Sequence, residues 1–198
     1  MSQKRRIILG ISGASGAIYA VRLLQMLAQN AEVETHLVIT QAGEQTLKSE
    51  LGIESEAISR LAFARYAIDD IAAPIASGSF LTGGMVVLPC SIKTLSGIAH
   101  CYSQNLLLRA ADVTLKERRP LILGVRETPL HLGHLRLMTQ AAEMGAVIAP
   151  PIPAFYHSPG SIEDLVHHYL CRVLDWLGLP CPSEEAHRWQ GSHSLPGA

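Results

Sequence analysis

The sequence predicts a single-domain α/β protein built on a doubly wound parallel sheet. A chain of 198 residues has the length of one domain with a full core. Five short apolar runs are near-continuous rather than alternating, as expected of strands buried on both faces. Helix-patterned segments separate them, giving the alternation that a parallel sheet needs for its crossovers.

In chain order, the first strand is expected over residues 7–11, followed by a glycine-rich turn and a helix over 17–29. Lys4-Arg5-Arg6 ahead of the apolar stretch from Ile7 to Leu24 superficially resembles a signal peptide or an anchor. Gly10, Ser12, Gly13, Ser15 and Gly16, and then Arg22, interrupt that stretch, and a strand, a turn and a helix explain them better. Residues 35–39 form the second strand, with a helix over 42–51. The third strand, 85–88, precedes helices over 91–102 and 106–118. The fourth, 121–125, precedes a helix over 130–144, with Thr128-Pro129 as its N-cap and first position. The fifth strand is 147–149. The last helix is the clearest, because Ile162, Leu165, Val166, Tyr169, Leu170, Val173, Leu174 and Leu177 recur at helical spacing after Pro159-Gly160 and the N-cap Ser161. Arg172 falls at the edge of that stripe, within reach of a site. The domain is expected to span residues 1–182, with a polar tail, 183–198, mobile except around Trp189. No other stretch is long and apolar enough to span a bilayer.

Hydrophobic residues make up 48% of the chain and charged residues 17%, against a usual charged share of roughly a quarter. A surface this short of charge points to burial between subunits. Sixteen Lys and Arg against seventeen Asp and Glu give a net charge of -1, without the basic excess that nucleic-acid binding requires. Cys90, Cys101, Cys171 and Cys181 form no CxxC pair. A chain of this size needs no disulfide staples, so reduced thiols in a cytoplasm are expected.

Ligands of an open parallel sheet bind beyond the carboxyl ends of its strands, and here all five ends carry ligand-type residues. Ser12-Gly13-Ala14-Ser15-Gly16 lets backbone amides approach a ligand at a helix N-terminus. Gly10, Gly13 and Gly16 do not fit G-x-G-x-x-G, and Ser12 stands where the middle glycine belongs. The second strand ends in Thr40-Gln41, without an acidic residue for a ribose, so NAD is disfavoured and a mononucleotide remains. Ser91-Ile92-Lys93-Thr94 offers a serine cap, free amides and a lysine as a phosphate cradle. Arg126-Glu127 sets a cation beside a carboxylate on an extended segment whose adjacent side chains point apart. Residues 150–157 form a stiff loop that holds Phe155 and Tyr156 over the pocket. Several of these features have plainer readings. His131 and His134 lack a third metal ligand and read as solvated or packed. Cys90 reads as a small buried residue, Arg126-Glu127 as a surface ion pair, and the run from Lys116 to Arg119 as a solvated helix end.

Taken together, Gly10-Ile-Ser-Gly-Ala-Ser-Gly-Ala17, Ala76-Ser-Gly-Ser79, Pro89-Cys-Ser91, Arg109-Ala-Ala-Asp-Val113, Leu115-Lys-Glu-Arg-Arg-Pro-Leu121, Arg126-Glu-Thr-Pro129 and Pro153-Ala-Phe-Tyr-His157 resemble the UbiX-type flavin prenyltransferases. The resemblance covers roughly residues 6–177. It implies a flavodoxin-like, Rossmann-like fold in a homo-oligomer, usually a dodecamer. It implies that reduced FMN is alkylated by dimethylallyl phosphate at N5 and closed at C6, and that the prenylated FMN serves a UbiD-type decarboxylase in ubiquinone biosynthesis. By matching position, Gly13, Ala14, Ser15, Thr40, Ser91, Ile92, Lys93, Thr94 and Arg126 would hold FMN. Tyr156, Arg172 and Lys116 would grip the prenyl phosphate with Arg109 nearby, some of them from neighbouring subunits. Glu50, Glu127 and Ser15 would be catalytic, Glu50 at the leaving phosphate and Glu127 in ring closure. Two positions depart from the family pattern: some members carry Trp where Ile71 stands, and many have Ser-Lys where Thr40-Gln41 stands.

The residues agree with this resemblance. Asp69-Asp70 is the chain's one Asp pair and no DDxxD occurs, so a monophosphate leaving group would be neutralised by cations and donors with no metal. Glu50 is expected at the C-terminal end of its helix, where the dipole favours a protonated, proton-donating acid. A flavin-dependent cysteine decarboxylase would carry an N-terminal catalytic histidine and a Pro-x-Met-Asn run, and neither is present. A serine hydrolase would end Gly13-Ala14-Ser15-Gly16-Ala17 with glycine. A flavodoxin-like electron carrier would need neither a basic phosphate pocket nor an acid pair.

Overall fold

Residues 4–182 are described by the computed structural model; the expected tail, 183–198, lies outside them. Six strands form one sheet: β1 (Arg5–Ile11), β2 (Val33–Ile39), β3 (Ala64–Tyr66), β4 (Gly84–Cys90), β5 (Leu121–Val125) and β6 (Val147–Ile148). Every pairing is parallel, and the order is β3-β2-β1-β4-β5-β6. Setting aside the short edge strand β3, the other five run in flavodoxin-like order. The chain winds outward in opposite directions from β1 and β4, so the ligand crevice of a doubly wound sheet opens between those two strands.

The helices are α1 (Ala17–Ala28), α2 (Gln41–Leu51), α3 (Ser55–Ser59), α4 (Ile92–Ala99), α5 (Leu106–Lys116), α6 (Leu132–Glu143) and α7 (Ile162–Trp176). They cover both faces because the strands are apolar on both faces. Ile7, Leu9 and Ile11 of β1 pack with Leu23, Leu24 and Leu27 of α1 and with Leu170 and Val173 of α7. Ile8 points the other way, into a second core with Leu95 of α4 and Leu107 of α5. Each fully buried Leu or Ile contributes about 1.5–3 kcal/mol, and all seven residues of β4 are buried.

Helix α7 carries the expected stripe. Val166, Tyr169, Leu170, Val173, Leu174 and Leu177 are buried, and the Ser161 hydroxyl caps the first turn by accepting from the Asp164 amide at 3.1 Å. Ile162, the first member of the stripe, is exposed. The Tyr169 hydroxyl donates to the Ala149 carbonyl at 2.6 Å, just beyond β6. That bond anchors the helix to the far end of the sheet.

Three expectations are corrected. Strand β3 and helix α3 do not figure in the sequence reading. Both are short, and the half-exposed residues of β3 make no apolar run. Thr128-Pro129 is a cis peptide and does not start α6, whose cap is His131, with Nδ1 accepting from the Gly133 amide at 3.0 Å. Cys171 and Cys181 are joined in a disulfide across Cα atoms 5.1 Å apart, whereas Cys90 and Cys101 are free. The reversal at Gly178, with φ 64°, turns the chain back along α7 and brings the two sulfurs together. Among the described residues, no helix is long and apolar enough to cross a membrane.

Replacing Tyr169 by Phe keeps the ring in the core but leaves the Ala149 carbonyl without its donor. A loss of about 1–3 kcal/mol in unfolding free energy is expected from urea denaturation. An unchanged midpoint would show that the hydroxyl does not anchor α7.

Candidate active site

Ser12 follows β1 directly and is 1% exposed. Its hydroxyl donates to the Pro89 carbonyl at 2.9 Å and accepts from the Ser91 amide at 2.8 Å. Its own amide also donates to Pro89, at 3.2 Å. These bonds fix the turn after β1 against the segment that leads from β4 into α4, at the mouth of the crevice. Next to it, a side chain at Gly13 would place its Cβ 2.3 Å from that of Ala42, so glycine lets α2 sit directly on the turn.

Gly16 takes a left-handed conformation, φ 107°, to start α1, and no side chain of its own caps the helix. The cap comes from Glu50 in the last turn of α2. Its Oε2 accepts from the amides of Gly16 at 2.9 Å and Ala17 at 2.8 Å, and Ser15 donates through its hydroxyl. This corrects the expectation of a protonated acid. Burial favours the neutral form, but the bonds from Ser15, Ala17 and Gly16 and the charge of Arg126 outweigh it and hold the Glu50 carboxyl below its usual value. The N-terminal dipole of α1, not the C-terminal dipole of α2, governs this carboxylate.

The N-terminus of α4 lies across the crevice. The Ser91 hydroxyl accepts from the Thr94 amide at 3.3 Å and donates to the Thr94 hydroxyl at 3.1 Å. The amides of Ile92 and Lys93 open the first turn and have no acceptor within the helix, which makes this end receptive to an anion. Thr40 caps α2, its hydroxyl accepting from the Gly43 amide at 3.0 Å. Arg126 follows β5, with its amide on the Cys90 carbonyl at 3.0 Å and its side chain exposed. The Glu127 carboxylate accepts from the Thr128 amide at 3.0 Å. The structure thus gathers Gly13, Ala14, Ser15, Thr40, Glu50, the Ser91–Thr94 turn, Arg126 and Glu127 around the carboxyl ends of β1, β2, β4 and β5. Cys90 stands among them, but burial pushes its thiol up to about 12, so it is no nucleophile.

Comparison with known proteins decides the family. The Flavoprotein family model matches residues 1–157. Flavin prenyltransferase UbiX of Escherichia coli K12 is 61% identical over 188 residues, which span 95% of this chain and 100% of that protein. The chain belongs to the UbiX flavin prenyltransferase family. Two solved UbiX relatives have the same fold. AnUbiX (PadA1), in complex with FMN and dimethylallyl pyrophosphate, superposes with a TM-score of 0.90 at 45% identity, covering 95% of this chain and 98% of that one. A dodecameric FMN-dependent UbiX-like decarboxylase from Escherichia coli O157:H7 gives 0.90 at 46% identity, covering 94% and 100%.

The four residues matched to the UbiX prenyl-phosphate grip are spread more widely. Tyr156, half-exposed, lies on the loop after β6, with its hydroxyl 2.7 Å from Nε2 of His168. Arg172 pairs with Asp175 at 2.8 Å and lies over the Trp176 ring, 5.7 Å from its centroid. Arg109 donates to the Ala76 carbonyl at 3.2 Å and pairs with Asp112 at 2.7 Å, and Lys116 pairs with Glu117. Lys116 precedes β5 whereas Arg126 follows it, so the two flank a five-residue strand with a rise of roughly 16 Å. Arg126 and Lys116 of one chain therefore stand at opposite edges of the sheet. Sequence reasoning missed two features, the bridge made by Ser12 and the His168 partner of Tyr156. The serine at the middle-glycine position was the available signal for the first; the second joins a loop to a helix and has no local signature.

Because the folded state lowers the pKa of Glu50, its contribution to stability is present above the ordinary value of 4.5 and is lost as pH falls through the folded value. Wild type is therefore expected to exceed Glu50→Gln in urea resistance at neutral pH, with the gap closing below pH 4.5. A gap independent of pH would show that the carboxylate charge does not cap α1.

Proposed function

We propose that this chain transfers a dimethylallyl group from dimethylallyl phosphate to N5 and C6 of reduced FMN, yielding prenylated FMN. The carrying observation is the pairing of two helix N-termini across the crevice, one closed by Glu50 beside Arg126, the other open at Ile92 and Lys93. The open end fits the phosphate of a mononucleotide. The 45%-identical relative with FMN and dimethylallyl pyrophosphate supports the same pair of ligands. Reduced FMN supplies the electron-rich nitrogen and carbon that accept the prenyl unit. The chain's own residues hold the reactants and manage charge and protons.

Ser91, Ile92, Lys93 and Thr94 hold the flavin phosphate, and Gly13, Ala14, Ser15, Thr40 and Arg126 position the ring system. Tyr156, Arg172, Lys116 and Arg109 neutralise the departing phosphate by donated hydrogen bonds and positive charge, which lowers the barrier to leaving without a divalent ion. Lys116 reaches the site from a neighbouring subunit, because it stands at the opposite edge of its own sheet. The dodecameric relative supports assembly of this kind. Glu50 takes up or returns a proton at the leaving phosphate, and Ser15 orients its carboxylate. Glu127 moves the proton released when the second ring bond forms. We place the enzyme in the cytoplasm, as one domain over residues 1–182, supplying its product to a UbiD-type decarboxylase of ubiquinone biosynthesis.

Anaerobic incubation with reduced FMN and dimethylallyl phosphate, followed by mass analysis of the flavin, is expected to show the gain of one five-carbon unit. EDTA should leave the rate unchanged. Unmodified flavin would overturn the function, and loss of activity restored by magnesium would overturn the metal-free neutralisation of the leaving group.

Glu127→Gln preserves shape and hydrogen bonding but removes proton exchange. It is expected to bind FMN as wild type does while prenylated product forms about 10²- to 10⁴-fold more slowly. Near-normal turnover in a folded, FMN-loaded variant would remove Glu127 from the mechanism.

A further inference from the structure

We propose that His167, Cys171 and Cys181 form a zinc site when the two cysteines are reduced, separate from the active site. Their ligand atoms all lie within 4.8 Å of one another. His167 and Cys171 are four residues apart on α7 and so share one face of the helix. Cys181 is returned to that face by the reversal at Gly178. The His167 Nε2 atom lies 3.4 Å from the Cys171 sulfur and 3.6 Å from the Cys181 sulfur. In a tetrahedral site with Zn–S of about 2.3 Å and Zn–N of about 2.0–2.1 Å, the nitrogen–sulfur edge is about 3.6 Å. Two of the three ligand–ligand edges therefore already have the length that zinc requires. The third needs the disulfide opened so that the sulfurs can separate to about 3.8 Å.

Cys171 is buried and its two partners are half-buried, which shelters the ligands while leaving an approach. A cavity of about 290 Å³, lined by Gln25, Met26, Glu163 and Val166 among others, opens beside His167 and gives room for a water as fourth ligand. Two thiolates and an imidazole select zinc over magnesium or calcium, which take oxygen ligands. The cluster sits against the second half of α1, whose first turn faces the crevice, so it is removed from the Glu50 carboxylate. The disulfide and the metal exclude each other. Two-electron reduction by a thiol or phosphine converts the disulfide to two thiols, and zinc binding displaces their two protons. Oxidation by peroxide rejoins the sulfurs, consuming both thiolates and releasing the ion.

The test is metal analysis of the full-length chain. After anaerobic reduction with a phosphine and removal of the reductant, the protein is loaded with zinc, desalted and measured by mass spectrometry of the elements. One zinc per chain is expected in the reduced protein and none after peroxide treatment. Removing a residue that only hydrogen-bonds a metal ligand costs about 10–100-fold in metal affinity, so His167→Gln and Cys181→Ser should each weaken zinc more than about 100-fold. Cobalt in place of zinc should show thiolate-to-metal charge transfer in wild type, and that band should be lost in Cys181→Ser. Reduced wild type that retains no more zinc than Cys181→Ser, or a cobalt spectrum without thiolate character, would overturn the site. These readouts are independent of prenylation, so they separate this inference from the proposed function.

Discussion

The geometry of the crevice depends on one buried hydroxyl. Parallel strands that fan apart at a topological switch leave their carboxyl ends unpaired, and something must hold β1 and β4 at a fixed separation there. Ser12 does so by donating to Pro89 and accepting from the amide of Ser91, in a place where water cannot substitute because the residue is almost fully covered. Each such bond contributes about 0.5–1.5 kcal/mol net, but its larger effect is positional. The turn that starts α1 and the turn that starts α4 are locked to each other, so two helix N-termini face the same space.

Two N-termini side by side would concentrate partial positive charge, and the structure balances them unequally. Glu50 closes one with a carboxylate held ionised by three local donors and the charge of Arg126, leaving the other open for the phosphate that the proposed function places there. A carboxylate with a lowered pKa is a weak acid catalyst at neutral pH on its own. An arriving phosphate dianion would raise that pKa by like-charge repulsion, so the proton-donating role proposed for Glu50 belongs to a loaded site and the capping state to the chain described here.

Much of this was legible in the sequence, for identifiable reasons. Strands β1, β2, β4 and β5 are buried on both faces and so appear as apolar runs, and the stripe on α7 keeps helical spacing along a 15-residue helix. Ser91 was readable as a cap because its partner, Thr94, is three residues away. What stayed hidden joins distant residues. Glu50 was read from its own helix, and its true partners lie 33 and 34 residues upstream. The disulfide between Cys171 and Cys181 depends on a chain reversal at Gly178 that spacing alone does not reveal. Thr128-Pro129 has the composition of a helix start, yet the imidazole of His131 takes the cap.

The position of the basic helix end completes the physical argument. Lys116 is held at the amino edge of its own sheet by Glu117, and no side chain spans a strand's length to the opposite edge. A phosphate at the carboxyl edge of one chain can meet this cation only where another chain's amino edge is placed against it. The low charged fraction, 17% of residues, and the matched motif at Lys116 would then share one cause. On the proposed function the active site is divided between subunits, and assembly would supply the positive charge that a single sheet, by its own topology, keeps on the wrong side.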